Sequence, residues 1–218
     1  MQKIAIFDMD HTLLSVDCDY TWKRFAVKCH LADEDALAEA DRFMAAYDAG
    51  TLDIAEFLRF QWREFTGKSV ADVESLCREH FTAEVLPFCR AKAKAEVERC
   101  REAGMTLWLL TSTCRFLAQP VADFFGIGHL FGAEIEVADG IVTGNVTGLY
   151  PCGENKVSAA REIAGKGSAS LADCRAYGDS INDLPLLTAV GKGFAVNPSP
   201  ALAQAARENN LEILDWEK

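Results

Sequence analysis

Three short apolar runs, Lys3 to Phe7, Met105 to Leu110 and Arg175 to Tyr177, each give way abruptly to residues of a different kind: Asp8, Thr111 and the pair Gly178-Asp179. None of the runs has the 3.6-residue recurrence of an amphipathic helix. Short apolar stretches bounded in this way read as strands buried on both faces, the pattern of a parallel sheet. Parallel strands need crossover connections, and they bring all their C-terminal ends to one edge, where ligands bind. Asp8, Thr111 and Asp179 are therefore expected to meet along that edge despite their distance in sequence.

The segments between the runs fit crossovers. Ala91 to Ala103 is rich in Ala, Lys, Glu and Arg, follows Pro87 and stops at Gly104, while Phe116 to Phe125 stops at Gly126. From residue 88 onward, strand and helix alternate, which predicts an α/β domain. Asp139-Gly140 between two β-prone stretches predicts a type I′ hairpin within 133–146, and Gly165-Lys166-Gly167-Ser168 predicts a loop. Residues 15–87 break the alternation. Helical signatures start at Asp17 and span Asp33 to Asp48, Asp53 to Phe65 and Ser69 to Val85, the last with Ser69-x-x-Asp72 as a capping box. The expected division is an α/β core of residues 1–14 and 88–218 with a helical cap, residues 15–87, inserted after the first strand.

Charge and cysteine usage exclude several classes. The net charge is −11 and there is no basic block, so no nucleic-acid partner is expected. The helical insertion is the more acidic part, with 15 acids against 8 bases. No apolar run approaches the roughly 20 residues of a membrane span, and Ile4 to Phe7 is too short for the core of a signal peptide, so a cytoplasmic protein without membrane contact is expected. The eight cysteines form no Cys-x-x-Cys pair, and most are expected as buried thiols. Cys18 and Arg24 have the bare Cys-x5-Arg spacing of a cysteine-dependent phosphatase. The residues between them lack the glycines that cradle phosphate, and Asp19 opposes a thiolate.

The polar residues at the strand ends suit phosphate-ester chemistry. A phosphate monoester dianion repels an approaching carboxylate, each pair of unit charges at 4 Å costing about 4 kcal/mol at an effective dielectric of about 20. A magnesium ion held by oxygen ligands would cancel this repulsion. Asp8, the backbone carbonyl of Asp10, and Asp179 are the expected metal ligands, with Asp183 as a further ligand or an anchor behind them. Asp8 is the expected nucleophile. Asp10, two residues on, is the expected general acid and base, provided the chain leaves strand geometry just after Asp8. Thr111 would bind phosphoryl oxygens and Lys156 would neutralise charge. Gly178 is read as permitting a tight turn, and Asp183 as lying near a helix start at Leu184-Pro185.

Asp8-Met9-Asp10-His11-Thr12, Thr111-Ser112-Thr113, Lys156 and Gly178-Asp179-Ser180-Ile181-Asn182-Asp183, in this order, resemble the motifs of the haloacid dehalogenase superfamily of phosphohydrolases. The resemblance covers nearly the whole chain. It implies a Rossmann-like core with a helical cap, Mg²⁺ as cofactor and an aspartyl-phosphate intermediate. The stretches Leu110 to Phe116 and Tyr150 to Lys156 are most similar to the branch containing phosphoserine and histidinol-phosphate phosphatases. Ser112, Arg115 and Asn182 are carried over as substrate-binding residues, and Ser180 as a further contact. The Glu and Arg that hold phosphoserine in that branch have no clear counterpart between Asp17 and Arg63. An amino-acid-like ester is expected, with a sugar phosphate as the alternative, and the chain is expected to be a monomer or homodimer. A phospho-accepting receiver domain would need neither Asp10 nor a cap.

Overall fold

The computed structural model describes residues 3–166 and 169–217. Seven strands form one sheet: β1 (Ile4–Phe7), β2 (Thr106–Cys114), β3 (His129–Ala138), β4 (Ile141–Thr147), β5 (Cys174–Gly178), β6 (Lys192–Val196) and β7 (Glu212–Leu214). Their order is β4-β3-β2-β1-β5-β6-β7, parallel throughout except for the β3–β4 pair. The chain builds outward from β1 on one side and then returns to build outward from β5 on the other. The crevice where this direction reverses is the usual ligand position of an open parallel sheet.

Alternating residues of β1 explain the two faces. Ala5 and Phe7 belong to one apolar cluster, Ile4 and Ile6 to the other. The first face is covered by α5 (Ala91–Glu102) and α6 (Arg115–Phe125), through residues such as Val97, Cys100, Val121 and Phe125. The second is covered by α7 (Glu154–Lys166), α8 (Leu184–Ala189) and α9 (Pro200–Glu208), through Ile163, Leu187 and Leu202. Phe7, Tyr177 and Phe194 stack across three adjacent strands with centroids 4.6 and 4.7 Å apart. This aromatic row stiffens the sheet immediately before Asp8.

Between β1 and β2 the chain forms α1 (Cys18–Lys28), α2 (Asp35–Asp48), α3 (Ile54–Trp62) and α4 (Val70–His80), an insertion followed by one wide turn at Phe81–Val85. Asp17, Asp53 and Ser69 accept hydrogen bonds from backbone amides at the starts of α1, α3 and α4. At Ser69 the box differs from the sequence expectation, since its hydroxyl donates to the Asp72 carboxylate while accepting from the Asp72 amide. The two crossings lie side by side. Leu14 forms an antiparallel bridge to Cys89, the Ser15 amide donates to Phe88, and the Arg90 amide donates to Leu13.

Three of the four helices are joined to the sheet by apolar contact. Trp22, Phe25, Leu58, Trp62, Phe65, Val73 and Cys77 share one buried cluster with Cys114, Leu117, Ala133, Ile135 and Val142. The β3–β4 hairpin also donates to and accepts from Gly67, Lys68 and Val70. Its turn is the predicted one: Asp139 and Gly140 both lie in the left-handed region, at φ 50° and 79°. Lys23 is fully buried and donates to Phe60 O, Gln61 O and Glu64, so its charge is paired and it also satisfies carbonyls near the end of α3.

Some expectations shift. β2 runs on through Thr111 to Cys114, although its pairing with β1 ends at Leu109 and its register with β3 slips after Leu110. Gly165 and Lys166 end α7 rather than forming a loop, and Gly167 and Ser168 lie outside the described residues. No helix among the described residues is long and apolar enough to cross a membrane.

His80 makes the insertion acid-sensitive. It is buried at 1% exposure between Trp22 and Phe25, its Nε2 is 3.0 Å from the Thr21 hydroxyl, and its Nδ1 has no partner. Burial lowers its pKa to about 3. The folded state therefore holds His80 neutral while the unfolded chain protonates below about 6.5. The stability is full above that value and is lost as pH falls, with a slope of about 1.4 kcal/mol per unit. Urea unfolding of His80→Leu is expected to show a flatter pH dependence between pH 6.5 and 5 than the parent protein; an unchanged slope would remove His80 as the cause.

Candidate active site

Asp8 follows the last residue of β1, and its amide donates to Tyr177 O on β5, which continues the ladder one step further. The chain then turns. Met9 to Leu13 forms a single wide turn broken by Asp10 (ψ 137°) and by His11, which takes the left-handed conformation at φ 55°. This departure from strand geometry separates the two carboxylates. Asp8 turns toward Lys156, with Oδ1 2.6 Å from Nζ. Asp10 turns toward the insertion and β2, accepting from the Cys18 amide at 2.8 Å and from the Thr113 hydroxyl at 2.6 Å. His11 is exposed and contributes only backbone.

Lys156, buried in α7, bridges Asp8 and Asp183, the second at 2.5 Å. The other oxygen of Asp183 accepts from the amides of Asp179 and Ser180 at 3.1 and 3.0 Å. Both Asp183 oxygens are thus engaged in holding Lys156 and the loop after β5. Gly178 has a different purpose from the one its sequence suggested. It needs no unusual backbone, but a Cβ there would lie 2.5 Å from the Asp183 Cγ, so only glycine lets that carboxylate approach. Asp179 accepts from the Thr12 hydroxyl at 3.2 Å. Asp8, Asp179 and Asp183 each place a carboxylate oxygen within 4.8 Å of the others.

Burial dominates the electrostatics of the site. It raises Asp8 above the usual carboxylate range against the opposing pull of Lys156. Asp179 rises to about 9 through burial and the charges of Asp8 and Asp183. Asp10 rises to about 8 through burial and the nearby Asp17. Lys156 loses solvation as well, but Asp183 and Asp8 outweigh this and hold its ammonium well above its ordinary value. Asp10 is held higher than Asp8 because no ammonium among the described residues lies beside it to offset burial as Lys156 does for Asp8.

The remaining predicted residues divide. Thr111 is buried and its hydroxyl accepts from the Thr113 amide, which shapes the β2 end. Ser112 shares a hydrogen bond with Tyr150. Asn182 sits on the loop after β5 and donates to the Tyr47 hydroxyl at 2.6 Å. Arg115 stands apart: it opens α6, is half exposed and pairs with Glu134 at 3.1 Å. Cys18 is a buried thiol raised well above its ordinary value by burial and by Asp10, Asp17 and Asp19, the opposite of an activated nucleophile. Thr12 and Thr113 hold Asp179 and Asp10, and their motifs alone assigned them no role. A hydroxyl within a motif shows its target only once distant strands are adjacent.

A family model for haloacid dehalogenase-like hydrolases matches residues 5–188. The chain is 32% identical to a histidinol-phosphatase of Neisseria meningitidis serogroup C (strain 8013), covering 99% of this chain and all of that one. It is 31% identical to the phosphoserine phosphatase SerB1 of Mycobacterium tuberculosis (strain ATCC 25618 / H37Rv), covering 97% of this chain and 70% of that one. A solved structure of a protein of unknown function from Bordetella pertussis Tohama I superposes with a TM-score of 0.89 at 31% identity, over 99% of both chains. Family match and carboxylate arrangement agree, and the chain belongs to the haloacid dehalogenase-like hydrolases as a phosphatase.

Proposed function

We propose that the chain hydrolyses a small amino-acid-like phosphate ester through an aspartyl-phosphate on Asp8, with Asp10 moving the proton and Mg²⁺ as cofactor. The observation that carries this reading is the separation of Asp8 and Asp10 into different environments, one on Lys156 and the other between Thr113 and Cys18. The Asp8 oxygen left free of Lys156 attacks phosphorus as the bond to the leaving alkoxide breaks. Asp10, protonated at neutral pH, gives its proton to that alkoxide. Water then attacks phosphorus, Asp10 takes the water's proton, and the bond to Asp8 breaks to release inorganic phosphate. Residues 15–87 act as a cap that excludes bulk water over a core of 1–14 and 88–218.

The donor set fits a divalent cation. Three carboxylates converge around the single ammonium of Lys156, which leaves an excess of negative charge at this point. Oxygen-only donors suit Mg²⁺, with Asp8, Asp179 and the Asp10 carbonyl as ligands and Asp183 as their anchor. When bound, the ion supplies charge neutralisation for the approaching phosphate dianion.

Asp19 supports an amine-bearing substrate. Its Oδ1 is enclosed without a hydrogen-bond donor, and burial with the neighbouring Asp17 and Asp10 raises it well above the usual carboxylate range. The ammonium of an amino-alcohol phosphate would supply the absent donor and charge. The names of the Neisseria and Mycobacterium relatives, which act on histidinol phosphate and phosphoserine, lend the same direction.

Three outcomes follow. In a phosphate-release screen with Mg²⁺, amino-alcohol phosphates are expected to exceed sugar phosphates in kcat/KM; parity or the reverse would favour the sugar-phosphate alternative. Asp8→Asn is expected to abolish turnover with folding retained. Asp10→Asn is expected to cost about 10²–10⁴-fold in kcat/KM, which ends at phosphoryl transfer to Asp8, on alkyl esters but much less on p-nitrophenyl phosphate, whose leaving group needs no proton; equal losses in kcat/KM on both would remove Asp10 as the acid.

Asp179 gives a test independent of activity. Its folded pKa is raised, so without metal the unfolded chain ionises this residue while the folded chain keeps it protonated, and stability falls as pH climbs from about 4 toward 9. Asp179→Asn is expected to stabilise the metal-free protein at pH 7 and to lose the rise in Tm that Mg²⁺ gives the parent. A variant that is destabilised without metal, or that still responds fully to Mg²⁺, would contradict the assignment.

A further inference from the structure

The helical insertion is not uniformly attached. The helices α1, α3 and α4 share a buried apolar cluster with β2, β3, β4 and α6. The helix α2 does not. Of its buried residues Ala36, Ala40 and Phe43, the last two pack in a small cluster with Phe60, Tyr20, Leu52 and Phe57, all of the insertion itself. Its ionic contacts also stay within the insertion: Glu39 pairs with Arg42 and Arg63, and Asp41 meets the Tyr20 hydroxyl. Tyr47, in the last turn of α2, is the exception. Its hydroxyl accepts from the Asn182 side-chain amide at 2.6 Å and meets the Ser180 hydroxyl, while the residue as a whole stays 40% exposed. Among the described residues it is the one side chain of α2 with a hydrogen bond to the α/β core.

The position of that bond gives it consequence. Ser180 and Asn182 belong to the five-residue loop whose ends are Asp179 and Asp183, the latter fixed to Lys156. The loop is rigid where it meets Lys156 and solvent-facing at Ile181, which is 44% exposed beside Asn182. A phenol reaching this loop from the opposite wall ties the loosely packed helix to the rim of the carboxylate site. A single half-exposed hydrogen bond is weak enough to break on each turnover and strong enough to bias a two-state equilibrium severalfold.

We propose that Tyr47 is a positioning residue, holding α2 closed over the site through Asn182, so that α2 rather than the whole insertion is the part that opens for substrate. The proposal rests on the phosphatase reading of the site for its kinetic consequence, and on packing alone for the motion. Tyr47→Phe keeps the ring and removes only the hydroxyl.

The test uses the full chain with Mg²⁺ and p-nitrophenyl phosphate, together with hydrogen–deuterium exchange followed with and without inorganic phosphate. In Tyr47→Phe, amides 43–51 are expected to exchange about fivefold faster, the factor one net hydrogen bond represents, with those of α1, α3 and α4 unchanged and Tm retained. KM is expected to rise about fivefold with kcat within twofold. Asn182→Ala is expected to loosen α2 to the same extent, and the double variant no further. Exchange at 43–51 equal to that of the parent, faster exchange spread evenly over the insertion, or additive effects of the two substitutions would overturn the proposal. Local loosening of α2 in Tyr47→Phe when the parent protein hydrolyses no phosphate ester would uphold the latch and remove the proposed hydrolysis through Asp8 instead.

Discussion

One buried ammonium organises this protein. Lys156 lies 2.6 Å from Asp8 and 2.5 Å from Asp183, bringing together the end of β1, the start of α7 and the loop after β5. Burying a lysine or an aspartate alone costs several kcal/mol, and removing one partner of such a set leaves the other charge uncompensated. The ammonium therefore fixes three otherwise unrelated segments in one geometry. It does not balance the site: one ammonium faces three carboxylates, and burial together with the charges of Asp8 and Asp183 raises Asp179 to about 9 despite Lys156. A divalent ion bound at this point would offset that excess of negative charge.

The sheet makes this meeting possible. Phe7, Tyr177 and Phe194 stack in register across β1, β5 and β6, so the carboxylates at the ends of β1 and β5 emerge from adjacent and stiff positions. Gly178 then lets Asp183 fold back against its own strand. On the other side of β1, the end of β2 supplies Thr113 to Asp10, and Thr111 shapes the backbone between them. Each strand end delivers a different chemical part. Burial and the neighbouring Asp17 hold the Asp10 carboxyl above the usual carboxylate range.

The insertion combines two kinds of packing. Its Trp22, Trp62 and Phe65 are fully buried against the hairpin and α6, and truncating any of them to Ala costs on the order of 3–5 kcal/mol. The helix α2 contributes only a small cluster of its own and a single polar tie to the core. A rigid wall and a lightly held flap within one inserted segment suit a site that must admit an ester and then exclude water.

Much of this was legible in the amino-acid order. Apolar runs ending at Asp8, Thr111 and Asp179 announced parallel strands with their chemistry at one edge, and Asp17, Asp53 and Ser69 marked helix starts because their short polar side chains satisfy free amides there. Asp139-Gly140 specified its turn because both residues tolerate positive φ. The strands β6 and β7 drew no assignment from the sequence, being only five and three residues long. Only the tertiary structure decided which hydroxyl serves which carboxylate, that Gly178 is required by the approach of Asp183, that Arg115 pairs with Glu134, and that Tyr47 reaches Asn182. Local signals lie within a few residues of what they control, whereas these contacts join segments far apart in sequence, and their distances exist only after the strands have taken their order in the sheet.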